Sequence, residues 1–127
     1  MRRRGFTVIE VLVAMVIMMI SVLALTLALI YAIKFSKLNL LREQALYKAE
    51  KLVNYLVSLP YTDTCLQAGT YNCSSGTSCC DGFAGDRQVS YSVSDNGSDL
   101  KKIEVNVEFS YGSYNATVHL ERLKGNW

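Results

Sequence analysis

The chain has 127 residues, 13 Lys+Arg against 11 Asp+Glu, four Cys, one His and one Pro. That length favours a single domain, and beyond the apolar run and its helical continuation only about 70 residues remain, too few for a large enzyme cleft with its own core. Half of the residues are hydrophobic and unevenly spread, which excludes a disordered chain, a collagen-like repeat and a simple soluble globule. The net charge of +2 conceals opposing blocks: +3 on Arg2, Arg3 and Arg4, −1 on Glu10, +3 over Lys34–Leu59 and −3 over Pro60–Trp127. The acidic distal part argues against nucleic acid as an electrostatic partner there.

Val11–Ile33 is 23 residues without a charge, broken only by Ser21, Thr26 and Tyr31 in polarity. As a helix it reaches roughly 34 Å, enough to cross a hydrocarbon core of about 30 Å. A cleaved secretory signal has a shorter apolar core, and no A-x-A site ends this run, so a retained span is expected. Charge does not settle its orientation, because Arg2–Arg4 on one side face Lys34, Lys37, Arg42, Lys48 and Lys51 on the other. Glu10 stands inside the otherwise apolar stretch Phe6–Ile33. A carboxylate in lipid costs several kcal/mol unless it is paired or lies at an interface. Either Glu10 lies at headgroup level and complements the positive helix N-terminus, or its charge has a partner in another chain.

The stretch Arg4-Gly5-Phe6-Thr7-Val8-Ile9-Glu10-Val11-Leu12-Val13-Ala14 joins a basic leader, a Gly, an aromatic residue, a Glu four positions later and a long apolar helix. It resembles the N-terminus of type IV prepilins and pseudopilins, the class III signal with its N-methylation motif. The resemblance is strong over Met1–Ile33 and architectural beyond it. The pattern from Leu100 to Val107, followed by a second strand, is similar to minor pilins of the PilV-like kind.

The resemblance implies that a prepilin peptidase removes residues 1–5 at the cytoplasmic face, cutting between Gly5 and Phe6, and methylates the new Phe6 amine. It implies that Glu10 is an assembly residue, paired in the membrane with the Phe6 amine of a neighbouring subunit, where low dielectric strengthens the attraction. It also sets the orientation: Arg2–Arg4 in the cytoplasm, everything after Ile33 outside the bacterial inner membrane, and later on a pilus at the cell surface. The implied partners are other pilin subunits through the N-terminal helix, the peptidase, the inner membrane and the assembly platform of a pilus or secretion system.

Lys34–Leu59 lacks Pro and Gly and is dense in helix formers. Leu38, Leu41, Ala45, Ala49, Leu52, Leu56 and Leu59 recur at three- and four-residue intervals, the stripe of an amphipathic helix. Phe6–Leu59 therefore reads as one helix of roughly 80 Å, stopped by Pro60. The domains expected are the leader 1–5, a transmembrane and assembly half 6–33, an amphipathic outer half 34–59, and a head 60–127.

Within the head, Arg87–Ser94 alternates Val89, Tyr91 and Val93, and Asp95–Ser98 is a turn. Leu100–Tyr111 alternates Ile103, Val105, Val107, Phe109 and Tyr111; Gly112-Ser113 reverses the chain, and Tyr114–Leu123 aligns Ala116, Val118 and Leu120. These strands predict a three-stranded antiparallel meander over 87–123 with one apolar face, covered by the outer helix. The fold class expected is α+β, a pilin-like lollipop with a cysteine-rich loop over 60–86.

Cys65, Cys73, Cys79 and Cys80 occupy that loop. A bond between the adjacent Cys79 and Cys80 strains the peptide joining them, so Cys65 and Cys73 are expected to pair with one each, in an undetermined order. The spacing lacks the short paired spacers of a zinc fold, and no helix starts with C-x-x-C for redox chemistry. His119 falls on the polar face of its strand. No nucleophile, phosphate loop or metal constellation is recognisable, so neither an enzyme nor a cofactor is expected.

The leading functional expectation is a minor pilin of a type IV pilus, which initiates or modifies filament assembly. A pseudopilin of a type II secretion system carries the same N-terminus. Major pseudopilin heads often rely on calcium, and here only Asp81 and Asp86 accompany the cysteines, which leans toward the pilus. The third reading is an anchored DNA- or ligand-binding pilin using Lys101 and Lys102, which otherwise form a solvated pair.

Overall fold

A computed structural model describes residues 5–76, 78–80 and 82–126. The leader residues Met1–Arg4 and the carboxylate of Asp81, named above, lie outside them. The chain divides into two compact units between Leu38 and Asn39.

Helix α1 spans Val8–Ser58, 51 residues with no Pro or Gly to interrupt the ladder. In the first unit its side chains are exposed without exception up to Lys37. The two aliphatic hydroxyls of the apolar run are satisfied inside the helix: Ser21 Oγ donates to Ile17 O at 2.8 Å and Thr26 Oγ1 to Val22 O at 2.8 Å. Such back-bonding removes the cost of a free hydroxyl in an apolar medium.

In the second unit, Ala45, Ala49, Leu52, Val53 and Leu56 form the buried stripe of α1. The sheet they face has four antiparallel strands in sequential order: β1 (Gly69–Asn72), β2 (Val89–Asp95), β3 (Leu100–Tyr111) and β4 (Tyr114–Gly125). The expected meander is thus corrected from three strands to four. The extra strand comes from the cysteine loop, where Tyr71 pairs with Tyr91 in register and stacks on its ring, centroids 4.7 Å apart. A four-residue strand with one large side chain leaves no alternation to read; its place is set by ring stacking and two disulfides.

Strands β2 and β3 supply the rest of the core from alternate positions: Val89, Tyr91 and Val93, then Ile103, Val105, Val107 and Phe109. Each fully buried Leu or Val contributes roughly 1.5–3 kcal/mol of transfer free energy. The inner face of β4 is less covered, since Ala116, Val118 and Leu120 are only half-buried. The β3–β4 reversal needs only Gly112 and Ser113, and Gly112 takes φ +62°, where a side chain is strained.

The last turn of α1 has no basic residue of its own. The sheet provides one: Lys124 Nζ donates to Val57 O, one of the carbonyls that a helix end leaves unpaired. Beside it, Lys101 Nζ donates to Tyr61 O at 2.9 Å and lies 4.4 Å from the centre of the Tyr61 ring. These contacts lock the helix end onto β3 and β4 with charges the negative helix terminus favours.

Candidate assembly segment and the head that follows it

The structure places Gly5, Phe6 and Glu10 at the N-terminal end of the first unit. Gly5 is exposed with open space around it, and the Phe6 side chain is 82% exposed. Thr7 O accepts the amides of Glu10 at 3.0 Å and Val11 at 3.3 Å, which starts the helix. Glu10 therefore lies in its first turn, where a negative charge is favoured. Phe6 and Glu10, four residues apart, line one open groove with Val11, Ala14, Met15 and Met18. Among the described residues this is an open apolar groove with one carboxylate at its end, a surface that suits helix packing.

The cysteines gather in the second unit. Cys65 is bonded to Cys79, with Cα atoms 5.5 Å apart, and Cys73 to Cys80 at 5.7 Å. Cys73 and Cys80 are fully buried. The pairing ties both ends of β1 to the loop that precedes β2. Tyrosines finish the clamp: Tyr71 Oη donates to Gln67 O at 2.9 Å, and the buried Tyr91 Oη to Cys65 O at 3.1 Å. Burial pushes the Tyr91 hydroxyl far above its ordinary range, so it acts purely as a neutral donor.

The same loop is strapped to α1. Lys48 Nζ lies 2.8 Å from Asp86 Oδ2, and this bond holds the Asp86 carboxyl below its usual range. Lys51 lies over the Phe83 ring at 5.4 Å. Gly85 N donates to Cys73 O at 2.6 Å.

The outer face of the sheet carries a polar cluster that the sequence reading missed. Glu104 and Glu121 stand directly opposite each other, and Lys102 Nζ bridges them at 2.6 and 2.9 Å. That bridge lowers the Glu104 carboxyl and raises the Lys102 ammonium. His119 Nδ1 is 2.6 Å from Asn106 Oδ1, and its Nε2 is 3.9 Å from Glu121. Glu104, His119 and Glu121 thus gather three ligand-type groups within 4.8 Å. The counter-ion of the two carboxylates is the Lys102 ammonium, so we assign no metal to them. The signal was available: a two-residue reversal at Gly112-Ser113 sets 104 opposite 121. Lys101 and Lys102 are not the solvated pair expected, since both are engaged by groups of their own chain.

Residues 1–26 match the family model of the prokaryotic N-terminal methylation motif. They are a class III signal. The match supports a type IV prepilin or pseudopilin, a class of structural subunits and not of enzymes. The signal implies processing by prepilin peptidase and assembly with other pilins. With the long apolar helix it fits a single-pass inner-membrane pilin. No curated protein and no solved structure matches the chain.

Proposed function

We propose that this protein is a minor pilin of a type IV pilus, incorporated through its N-terminal helix to initiate or modify the filament. The observation that carries the reading is the methylation motif at residues 1–26, continued by a helix whose apolar side chains are exposed from Phe6 to Phe35. Residues 1–5 are removed by cleavage between Gly5 and Phe6, and the Phe6 amine is methylated. Glu10 of an incoming subunit pairs with that amine on its neighbour, which gives register to helices that otherwise slide on greasy surfaces. Residues 6–33 serve in the bilayer and then in the filament. Residues 34–59 carry the head, 60–127, in the periplasm and later on the pilus. Two disulfides in the head favour a pilus subunit over a secretion pseudopilin.

Intact and N-terminal mass spectrometry of the unreduced protein from its native membrane tests the processing. The expected chain begins at N-methylated Phe6 and is four hydrogens lighter than its reduced form. A chain beginning at Met1, or cut beyond the apolar run, overturns the pilin reading. Recovery in sheared surface filaments, lost in Glu10→Ala while processing persists, is the expected result for a pilus subunit. Secretion of exoproteins failing in a deletion strain that still makes normal pili assigns the chain to a secretion machine instead.

A further inference from the structure

We propose that the cysteine loop is a substrate of a thiol–disulfide isomerase, a protein whose reactive thiolate converts a mispaired head into the form bonded Cys65–Cys79 and Cys73–Cys80. The two native bonds interleave, since Cys73 lies between Cys65 and Cys79, and Cys80 beyond them. The nested alternative joins Cys65 to Cys80 and Cys73 to Cys79. It lengthens one loop by a single residue and shortens the other by one. Closure entropy varies slowly with loop length, so it weights the two pairings within roughly 20% of each other. Closure by chance then gives the native pairs in only about a third of chains.

Adjacent cysteines are told apart only by the folded head. Ser78–Cys80 is one 3₁₀ turn, in which successive side chains point about 120° apart, so Cys79 and Cys80 are aimed at different partners. Cys65 is held by its amide on Asp63 Oδ1 at 2.9 Å and by its carbonyl under the Tyr91 hydroxyl, 26 residues away in sequence. The Cys73 carbonyl accepts from Gly85 N. The long-range contacts exist only once the sheet has formed. Two disulfides in a unit this small supply most of its stability, so the cysteines are oxidised before that preference operates.

The number of thiols makes a wrong pairing permanent. The chain has four cysteines. One that has joined only Cys65 to Cys73 keeps two thiols, and the Cys80 thiolate can attack Cys73 Sγ and release Cys65. The nested form keeps none, and disulfides exchange only through thiolate attack, so an external thiolate must enter. It attacks Cys79 Sγ, which breaks Cys73–Cys79, forms a mixed disulfide and releases the Cys73 thiolate. That thiolate attacks Cys80 Sγ, forming Cys73–Cys80 and releasing Cys65. The Cys65 thiolate attacks Cys79 Sγ of the mixed disulfide, forming Cys65–Cys79 and returning the external thiolate. Three S–S bonds break and three form, with no net gain or loss of electrons or protons.

Burial gives the exchange its direction. Cys73 and Cys80 are fully buried, and Cys65 and Cys79 are only 7% and 9% exposed. Attack on a disulfide needs access to its sulfurs, so the finished head no longer reacts while open, mispaired chains do. The partner that fits carries an accessible thiolate of lowered pKa and engages the open loop, not the surface of the closed head.

This step rests on the head lying outside the cytoplasm, as proposed above, where thiols meet an oxidant. The full chain, reduced in urea, is diluted into detergent with diamide and no thiol. Partial reduction with stepwise alkylation, read by electron-transfer fragmentation between Cys79 and Cys80, reports the pairing. About a third of chains are expected to carry the native pairs. Reduced glutathione, or a purified thiol–disulfide isomerase, is expected to raise that share at least about twofold, the isomerase faster. The double variant Cys65→Ser, Cys79→Ser has one possible bond, and its closure is expected to be indifferent to added thiol whether or not it folds. Native pairing in nearly every chain without thiol, or a mixture that added thiol leaves unchanged, overturns the isomerase role alone. Alkylation of native membranes before lysis reads the placement separately; free thiols on these cysteines overturn the outside placement and this proposal with it.

Discussion

The two stretches of α1 use similar residues to opposite ends. From Val11 to Ile33 every side chain is exposed, Leu and Ile included. Between Ala45 and Leu56 the stripe Ala45, Ala49, Leu52, Val53 and Leu56 is buried, while Glu43, Leu46, Tyr47, Glu50 and Lys51 stay outside. The outer stretch finds its apolar partner in its own chain. The inner stretch is exposed, and a continuous exposed apolar surface of that extent implies lipid or other subunits. One helix therefore belongs to two solvents, and only the outer part owes its stability to the fold.

The largest test of that division removes the disulfides. Each contributes about 2–4 kcal/mol, so losing both consumes most of the stability of a unit this small. With all four cysteines changed to Ser, the head is expected to lose its near-UV circular dichroism and its resistance to trypsin. The membrane-embedded stretch of α1 should stay protected. A trypsin-resistant head without disulfides would show that the helix–sheet core suffices alone.

A single side chain divides the helix in the same way. Leu56 is fully buried between helix and sheet, so Leu56→Ala costs about 2–5 kcal/mol in head unfolding. Leu23, 66% exposed, makes no such contact, and Leu23→Ala leaves head unfolding within about 0.5 kcal/mol. Urea titration of both full-length variants in detergent reads the contrast. Equal destabilisation would mean that the inner stretch supports the head.

These residues also show what periodicity can and cannot convey. The stripe Ala45, Ala49, Leu52, Leu56 and the alternation of β2, β3 and β4 were legible because burial on one face imposes a period of 3.6 or 2 on the sequence. Val53 lies beside that stripe and is buried because the helix sinks into the sheet. Gly69–Asn72 was not legible, because its position depends on ring stacking and on cysteines whose partners spacing leaves undetermined. Lys101 and Lys102 read as a solvated pair, yet their ammonium groups, like that of Lys124, are placed by cross-strand register and by the end of α1, which local sequence does not encode. At the N-terminus the opposite holds: the motif was legible before any geometry, since its spacing is shaped by a processing enzyme and not by a core.

The junction between the outer helix and the sheet offers a smaller test. Lys124 is the only cation among the described residues that donates to the last turn of α1, so Lys124→Met, which keeps the apolar stem, costs about 1 kcal/mol. Lys34→Met, on the exposed helix, costs nothing measurable in the same urea titration. An equal effect of both would remove the helix-end role.

The smallest effect concerns acid. Asp86 is held below its usual range chiefly by the Lys48 hydrogen bond, and Glu104 by that from Lys102. In both cases the unfolded chain takes up its proton at a higher pH than the native head. Stability from these groups is therefore fully present above about pH 4 and is lost as pH falls through the depressed native values. Asp86 is partly exposed, and solvent screening keeps its share below about 1 kcal/mol. Urea midpoints should be level between pH 7 and 5 and drop toward pH 3, with a shallower drop in Lys48→Met. In that variant the Asp86 carboxylate has lost the partner that distinguished its native from its unfolded state. An unchanged acid slope would place the titrating carboxylates elsewhere in the head, and would separate the loop strap from the forces that hold sheet and helix together.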